Sequence, residues 1–329
     1  MYNDSGDCMN LEDINVKKDL KILYMGTPEF SATVLKGLVS NYKVRAIVTQ
    51  PDRKVGREGK VLFSPVKQIG MDNTILVLQP ERVMDIYEDL RDMELDLIIT
   101  CAYGNILPPA ILELPRLGCI NVHASLLPKL RGGAPIHRAI LNGYSKTGIT
   151  IMYMSKGMDE GDIISQREIP IDLLDTAESL HDKLSVLGRD LLIETLPSII
   201  NGTNSRTPQD DSLATYGYVI KREDEKLDFS RSKRQVYNKI RGLNSWPGAY
   251  TLVDGSILKV WESRISDNVF SDKLDGEVTA VYPDGFGIKV SDGEIVFLTV
   301  QPEGKTKMSA SDYANGMVNK GNFVGKIFE

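Results

Sequence analysis

The chain has 329 residues, of which 42% are hydrophobic and 26% charged, and its formal net charge is −6. This length suits two domains with sizeable cores, and the acidic balance excludes bulk electrostatic attraction to nucleic acid, so a nucleic-acid partner would need local basic patches. No apolar run reaches the roughly 18 residues of a membrane span, so we expect a soluble protein without membrane contact.

The three cysteines, Cys8, Cys101 and Cys119, show no paired spacing. They indicate neither a disulfide framework nor a zinc site, which suits a reducing cytoplasm. Residues 1–19 read as a polar N-terminal extension, because acidic residues such as Asp4, Asp7, Glu12 and Asp13 and the lack of an apolar block argue against a secretory signal or a transit peptide.

A βαβ unit opens the folded part of the chain. An apolar strand is predicted at Leu20–Met25, followed by the turn Gly26–Pro28, helical periodicity from Phe30 to Val39, and a second strand at Val44–Thr49. The turn lacks the GxGxxG pattern, so the sequence does not support a dinucleotide cofactor.

Strands and helices then alternate as far as residue 200. Such alternation predicts an α/β, Rossmann-like domain with a mainly parallel sheet covered by helices on both faces. The predicted strands are Ile75–Leu78, Leu95–Thr100, Cys119–His123 and Gly148–Met154, and the predicted helices are Glu81–Met93, Ile136–Asn142 and Ala177–Ile200.

The C-terminal part has a different pattern. We expect a first domain at 20–205, a linker at 206–217 that is rich in small and polar residues, and a second domain at 218–329. The second domain should begin with a helix at Arg231–Arg241 and continue as short strands joined at three Asp-Gly turns, which predicts a small OB-like β-barrel. Such a barrel can bind oligonucleotides or can serve as scaffolding, and the strand pattern does not distinguish the two.

The segment INVHASLLP at 120–128 carries the most specific chemical signal. Alternation in a strand places Asn121, His123 and Ser125 on one face. An amide, an imidazole and a hydroxyl therefore converge at the C-terminal end of a strand, where open α/β sheets place their ligands. The alternative is that His123 only caps a strand with satisfied hydrogen bonds.

A second polar group follows the strand predicted at 148–154. The turn GMDEGD at 157–162 offers Asp159, which beside His123 would form an acid–base pair and would favour the charged imidazolium. The amide of Asn121 could donate to a developing oxyanion, so the three groups suit addition to a carbonyl. Taken alone, Asp159 could equally be an ordinary turn residue.

Five segments together resemble the folate-dependent formyltransferases, and within them the methionyl-tRNA formyltransferases, over nearly the whole chain from Lys21 onward. The Asn-x-His, SLLP and downstream Asp set is shared across the wider family, whereas the TQPDR loop and the C-terminal domain point to the branch that acts on tRNA. The segments are MGTPEF (25–30), TQPDRKVGR (49–57), GCINVHASLLPKLRGGAPIHRAI (118–140), TGITIMYMSKGMDEGDII (147–164) and LNSWPGAY (243–250).

The resemblance implies transfer of the formyl group of 10-formyltetrahydrofolate to the α-amino group of methionine on initiator tRNA, by a cytoplasmic, monomeric enzyme that needs no metal. It implies that Asn121 and His123 polarise the formyl carbonyl and stabilise the tetrahedral intermediate. Asp159, through water, would hold His123 charged and help to move protons.

The resemblance also implies two sets of binding residues. The folate donor would lie along Ser125, Leu126, Leu127 and Pro128, with backbone contacts from Tyr103, Gly104, Asn105, Ile106 and Leu107 and from Ser155, Lys156, Gly157 and Met158. The tRNA would contact Arg53, Lys54, Arg57 and Lys60 in a basic loop, and Lys221, Arg222 and Arg241 after the linker. Core packing for the two leucines and solvated surface for the charges are the plainer interpretations.

Three other functions share parts of this pattern. A sugar-nucleotide formyltransferase would keep the site but should lack the TQPDR loop. A folate-dependent deformylase would use the same three residues with water as acceptor, and its usual N-terminal regulatory domain has no room in this chain. A non-enzymatic RNA-binding module would leave the combination of Asn121, His123 and Asp159 unexplained.

Overall fold

The computed structural model describes residues 20–55, 60–319, 321 and 323–329, and for residues 54, 55, 60 and 61 it describes the backbone alone. The predicted polar extension, 1–19, lies outside the described residues. The chain forms two compact units. The first contains the residues up to Gly133 together with Thr147–Ile169 and Asp182–Tyr216, and the second contains Ala134–Lys146, Pro170–His181 and Gly217–Glu329.

The first two hundred residues alternate strands and helices, as the sequence predicts. A 3₁₀ turn at Val83–Ile86 precedes α3. The elements are β1 (Ile22–Gly26), α1 (Glu29–Asn41), β2 (Val44–Val48), β3 (Arg53–Val55), β4 (Lys60–Leu62), α2 (Pro65–Asp72), β5 (Leu76–Leu78), α3 (Tyr87–Asp92), β6 (Leu97–Cys101), α4 (Pro109–Leu112), β7 (Cys119–His123), α5 (Pro135–Leu141), β8 (Lys146–Tyr153), β9 (Ile163–Pro170) and α6 (Ala177–Ile200).

Seven of these strands form one sheet in the order β5-β2-β1-β6-β7-β8-β9. The pairs from β5 to β7 are parallel, and β7 pairs with β8 antiparallel. Every residue of β1 and of β6 is buried, as expected for central parallel strands with both faces covered. The fold class is therefore the predicted α/β, mainly parallel sheet.

The main differences from the predicted elements occur where the hydrophobic pattern is weak. The helix predicted at Glu81–Met93 is a 3₁₀ turn followed by the short α3. Sequence analysis missed β9, an edge strand whose ISQREIP pattern is too polar to read as a buried strand. It also missed α2, although the cap Ser64, which accepts from the amide of Lys67, and the following proline mark its start.

The second unit is built mainly from antiparallel strands. A 3₁₀ turn at Asp211–Leu213, which belongs to the first unit, comes just before the segment Gly217–Glu329 of the second unit. The remaining elements are α7 (Arg222–Glu225), α8 (Lys233–Gly242), β10 (Ala249–Val253), β11 (Ser256–Ser266), β12 (Val278–Tyr282), β13 (Gly285–Val290), β14 (Gly293–Pro302), β15 (Met308–Ser309) and α9 (Ala310–Val318).

The strands of the second unit close on themselves. The sheet order is β10-β11-β14-β13-β12, and the C-terminal segment joins its two ends. Glu329 exchanges two backbone hydrogen bonds with Leu252 of β10, while Lys326 accepts from the amide of Val278 in β12. The three Asp-Gly pairs lie at the β10–β11, β12–β13 and β13–β14 turns, as predicted. A core rich in phenylalanine, centred on Phe286, fills the interior.

No helix in the described part of the chain is long and apolar enough to cross a membrane.

Candidate active site

The candidate site lies where β6 and β7 end. These strands pair in parallel with Thr100 opposite Asn121, and β8 places Thr150 opposite His123. β7 spans the predicted residues, Cys119–His123. Because β6 and β7 pair in parallel, the side chains of Thr100 and Asn121 lie side by side near this end of the sheet.

Asn121 has a defined amide orientation. The Thr100 hydroxyl donates to Asn121 Oδ1 at 2.9 Å and also approaches the Ile120 carbonyl oxygen at 3.2 Å. A hydroxyl that donates to Oδ1 leaves the amide N–H groups on the opposite side. Asn121 Nδ2 there lies 3.4 Å from Asp159 Oδ1. Thr100 therefore turns the donor of Asn121 toward the predicted partner.

His123 is only 6% exposed and is held from one side by backbone. Its Nε2 lies 3.0 Å from the Leu130 carbonyl oxygen. Since a carbonyl oxygen can only accept, Nε2 must donate and therefore carries a hydrogen. The other ring nitrogen, Nδ1, lies 3.6 Å from Asp159 Oδ2. Nδ1 is thus the atom of His123 that can take up and release a proton.

Asp159 adopts a left-handed backbone conformation, with φ of 54°. Its Oδ2 accepts from the Gly132 amide at 2.8 Å, so one carboxylate faces a backbone N–H, the imidazole and the amide of Asn121. The structure thus brings together the three side chains that the sequence marked. It also shows contacts that sequence analysis missed, those of Thr100, Leu130 and Gly132.

The SLLP segment is anchored to the sheet. Thr150 Oγ1 donates to the Ser125 carbonyl at 2.6 Å and accepts from the Leu127 amide at 3.1 Å. Gln166 of β9 donates to the Leu127 carbonyl at 2.9 Å, and Ser125 Oγ donates to the Lys129 carbonyl at 2.6 Å. Leu127 is 4% exposed, so its side chain packs in the protein, while Leu126 and Pro128 are partly exposed.

The other two predicted folate segments differ in exposure. Tyr103 and Leu107 are buried in the core of the first unit, whereas Ile106 is 77% exposed. In the segment Ser155–Met158, Lys156 and Met158 face solvent. The hydroxyl of Ser155 is buried and has no hydrogen-bond partner among the described residues. Because an unpaired buried hydroxyl is costly, this segment fits a polar ligand that supplies the missing partner.

A pocket of about 530 Å³ opens at the ends of β1, β2 and β6. It is lined in part by Tyr103, Gly104 and Asn105 from the loop after β6, and Gln50 Nε2 donates to the Tyr103 carbonyl at 3.3 Å. Phe63 also lines the pocket and is 46% exposed. The pocket therefore combines apolar and polar groups at the edge of the sheet that carries Asn121, which is typical of small-molecule sites.

The predicted basic loop is only partly described. Arg53 is exposed and lines the pocket. The side chains of Lys54 and Lys60 and the whole of Arg57 lie outside the described residues.

In the second unit the three predicted tRNA residues have different surroundings. The Lys221 side chain is 72% exposed. The Arg222 guanidinium pairs with Glu225 and lies 4.2 Å from the centre of the Tyr250 ring. Arg241 is 7% exposed, and its guanidinium donates to the carbonyl oxygens of Asp172 and Asp175 and to Asn238. Arg241 is therefore engaged inside the protein instead of being offered to a phosphate.

Among the described residues, no group of three histidine, cysteine, aspartate or glutamate side chains could hold a metal ion.

Comparison with known proteins covers both parts of the chain. The family described as formyl transferase matches residues 20–196, and its C-terminal domain matches residues 219–318. A methionyl-tRNA formyltransferase of Macrococcus caseolyticus is 46% identical over 94% of this chain and 98% of the relative. The enzyme of the same name from Staphylococcus aureus strain MW2 is 48% identical over 93% of this chain and 98% of the relative.

Solved structures extend the likeness to the fold. An N-formyltransferase from Helicobacter canadensis, in complex with folinic acid and dTDP-3-aminofucose, superposes with a TM-score of 0.65 at 21% identity. The match covers 85% of this chain and 99% of that one.

Proposed function

The chain belongs to the formyl transferase family, and on that premise we propose that Asn121, His123 and Asp159 carry out its reaction. The chain is a one-carbon transferase that moves the formyl group of 10-formyltetrahydrofolate to the α-amino group of methionyl-initiator tRNA. The product, N-formylmethionyl-tRNA, serves translation initiation. The observation that carries the proposal is that Asn121 Nδ2 and His123 Nδ1 both face one carboxylate, at 3.4 and 3.6 Å.

The first step is addition of the amine to the formyl carbon. The lone pair of the amine nitrogen forms the new C–N bond, and the carbonyl electrons move onto the formyl oxygen. The amide N–H of Asn121 and the protonated Nδ1 of His123 are the donors that can stabilise this oxyanion. The Thr100 and Leu130 contacts hold both donors before the substrate arrives, so no reorganisation is needed during the reaction.

The second step is breakdown of the tetrahedral intermediate. The oxyanion electrons re-form the carbonyl, the bond from the formyl carbon to N10 of the folate breaks, and N10 keeps the bonding pair and takes a proton as it leaves. The attacking nitrogen loses one proton, so the proton count balances across the two steps. His123 supplies a proton through Nδ1, because Nε2 is committed to the Leu130 carbonyl. General acid–base help of this kind contributes about 10²- to 10⁴-fold.

Asp159 keeps the imidazole ready for that step. Its Oδ2 lies 3.6 Å from His123 Nδ1, the nitrogen that supplies the proton. The distance is slightly longer than that of a direct hydrogen bond. The Gly132 amide holds the carboxylate in place at 2.8 Å.

We propose that the two substrates meet at the formyl carbon and share the pocket, since Tyr103–Asn105 line it together with Phe63 and Arg53. The folate would contact Ser125–Pro128, Tyr103–Leu107 and Ser155–Met158. The unpaired Ser155 hydroxyl supports this assignment. The methionyl end of the tRNA would enter the pocket lined by Phe63 and Arg53, since an apolar wall suits a thioether side chain and a cation suits a phosphate.

The tRNA itself would be held by basic residues in both parts of the chain. Arg53 with Lys54, Arg57 and Lys60, and Lys221 with Arg222, are the residues proposed for phosphate contact. The C-terminal domain, taken as 218–329, would provide the second of these surfaces. The exposed Lys221 supports this assignment, because phosphate contacts need solvent-accessible cations.

We propose further that the enzyme acts as a monomer in the cytoplasm. The aminoacylated tRNA on which it acts is a cytoplasmic molecule. Light scattering at micromolar concentration should give the mass of a single chain, 36.6 kDa.

The choice of acceptor tests the proposed function. The full chain is incubated with 10-formyltetrahydrofolate and one of three acceptors: methionyl-initiator tRNA, a nucleotide-linked amino sugar, or water alone. We expect formylated methionyl-tRNA, with little formate and no formylated sugar. Preferential formylation of the sugar, or formate release at the rate of folate consumption, would contradict the proposal.

A further inference from the structure

A segment that composition predicts as part of the linker is bound along its length to the candidate site. We define this strap as residues Thr207–Tyr216. Thr207 exchanges two backbone hydrogen bonds with Ile163 at 2.8 and 2.9 Å. Thr215 accepts from the amides of Leu130, through its hydroxyl, and Arg131, through its carbonyl, both at 2.9 Å. The strap thus spans from β9 to the loop that follows SLLP.

Gln209 is the strap residue that binds the Asp159 loop through its side chain. Its Nε2 donates to the Asp159 carbonyl at 2.9 Å and to the Gly161 carbonyl at 2.8 Å. Its Oε1 accepts from Nε and Nη2 of Arg131 at 3.1 and 2.9 Å. Both amide hydrogens and the carbonyl oxygen are therefore used, so a single rotamer and a single amide orientation satisfy the side chain.

Arg131 binds the oxygen of the Gln209 amide. It is 3% exposed, and Nη2 also donates to Asp211 of the strap at 2.7 Å. Its two chain neighbours touch the proposed catalytic groups directly, since the Leu130 carbonyl accepts from His123 and the Gly132 amide donates to Asp159. One short segment, Leu130–Gly132, and one strap side chain therefore connect the imidazole, the carboxylate and the Asp159 loop.

We propose that Gln209 is a positioning residue for formyl transfer. Its two hydrogen bonds to the carbonyls of Asp159 and Gly161 hold the Asp159 backbone in its left-handed conformation, which is uncommon for residues other than glycine. In that conformation the carboxylate faces Asn121 and His123. This inference rests on the proposed role of Asp159 and adds a residue to it.

The chemistry of the amide explains why glutamine suits this position. Two backbone carbonyls need two N–H donors, and the Arg131 guanidinium needs an acceptor. Glutamate has the same size and keeps the acceptor, but it loses both donors and places a charge beside two carbonyl oxygens. Gln209→Glu therefore removes the contact to the Asp159 loop while it retains the pairing with Arg131.

The test compares Gln209→Glu and Gln209→Ala in the full chain with Gln68→Ala, an exposed glutamine on α2 whose side chain donates to the nearby Asp72. We expect each Gln209 variant to lower kcat about ten- to hundredfold, because displacement of a catalytic group by about 1 Å has effects of that size. KM for 10-formyltetrahydrofolate and for methionyl-tRNA should stay within about threefold, and Gln68→Ala should match the parent.

A second comparison separates positioning from a general structural role. In an Asp159→Ala background, Gln209→Ala should cause little further loss, because the residue that it positions is gone. Equal losses in both backgrounds, or an unchanged kcat in the single variant, would overturn the proposal.

The two hypotheses fail in different ways. Loss of activity in Asp159→Ala with full activity in Gln209→Ala would overturn only the positioning role. Full activity in Asp159→Ala would overturn the proposed role of Asp159, and the positioning role with it. If Gln209→Ala does not fold, the comparison is made with Gln209→Glu, whose size and arginine contact are preserved.

Discussion

The sheet edge and the strap contribute to the same candidate site in different ways. At the ends of β6 and β7, Thr100 and Asn121 are placed by strand register, and their side chains face each other because the strands pair. The strap contributes Gln209, which lies 50 residues from Asp159 in sequence and belongs to no regular element.

The difference shows where each kind of functional residue can be recognised. Asn121 and His123 lie on β7 and stand out as polar residues in an apolar pattern. A group that positions another binds backbone carbonyls, which every residue carries, so its partner leaves no mark in the sequence.

Replacement of His123 should have the largest effect on the rate. His123→Ala removes the proton donor at Nδ1, and we expect kcat to fall about 10²- to 10⁴-fold. Single-turnover formyl transfer to methionyl-tRNA measures this loss, and circular dichroism reports whether the fold persists. Turnover within a few-fold of the parent by a folded variant would remove His123 from the mechanism.

Asn121→Ala should lower kcat by about 10²- to 10³-fold, the usual contribution of one oxyanion donor. KM for the folate should change little, because the donor acts on charge that develops only in the transition state. A rise in KM at constant kcat would instead make Asn121 a binding residue.

The orientation of the Asn121 amide can be tested by changing Thr100, the residue that donates to it. Thr100→Val preserves shape but deletes the hydroxyl that donates to Asn121 Oδ1. We expect kcat to fall about fivefold, which corresponds to the roughly 1 kcal/mol of one hydrogen bond. Thr100→Ser keeps the hydroxyl and serves as the matched control. Equal rates for the valine and serine variants would mean that the Asn121 amide keeps its orientation without the Thr100 hydroxyl.

Removal of the Lys221 charge should affect tRNA binding more than chemistry. We expect Lys221→Ala to reduce the slope of log KM for tRNA against log salt by about 1, as for one lost phosphate contact. Lys36→Ala, an exposed charge on α1 outside both predicted patches, is the control. An unchanged slope for Lys221→Ala would place the tRNA elsewhere.

Cys101 of β6 and Cys119 of β7 lie near the site, and their reactivity reports how readily these two strands open. Burial raises the pKa of Cys101 and of Cys119 to about 12, so on the order of 10⁻⁴ of each is thiolate at pH 8. In a Cys8→Ser variant, native protein should react very slowly with a thiol reagent at pH 8, and denatured protein should react at two sites. Fast reaction of the native protein would show that the strands open.

The same two thiols predict a pH dependence of stability. Their pKa is higher in the folded than in the unfolded state, where it is about 8.5. As the pH rises, the two thiols therefore lose their protons at a lower pH in the unfolded state than in the folded state. The free energy of unfolding should fall as the pH rises from about 8.5 toward 12. A Cys101→Ala, Cys119→Ala double variant should show a smaller decrease over this range, measured by urea unfolding.

Sequence reasoning succeeded where a pattern repeats locally. β7 and α6 have the predicted ends, because strand alternation and helical spacing are both strong there. The three Asp-Gly pairs form turns between antiparallel strands, since the short polar pair favours the backbone that such turns need.

The rest depends on contacts between distant residues. β9 was missed because an edge strand carries charged side chains, and the strap resembled a linker because its partners are backbone atoms far away in sequence. Arg241 belonged to a basic sequence patch, but burial against the loop at 172–175 gives its guanidinium internal partners. Charge alone therefore does not distinguish a surface cation from a buried one.

The central claim is that Asn121 and His123 act on the same oxyanion, and a double-mutant cycle tests it most directly. Single-turnover rates are measured for the parent, Asn121→Ala, His123→Ala and the double variant. Two donors to one developing charge predict strong coupling, with the double variant only a few-fold slower than the slower single variant. A double variant slowed by the full product of the two single factors would contradict the claim.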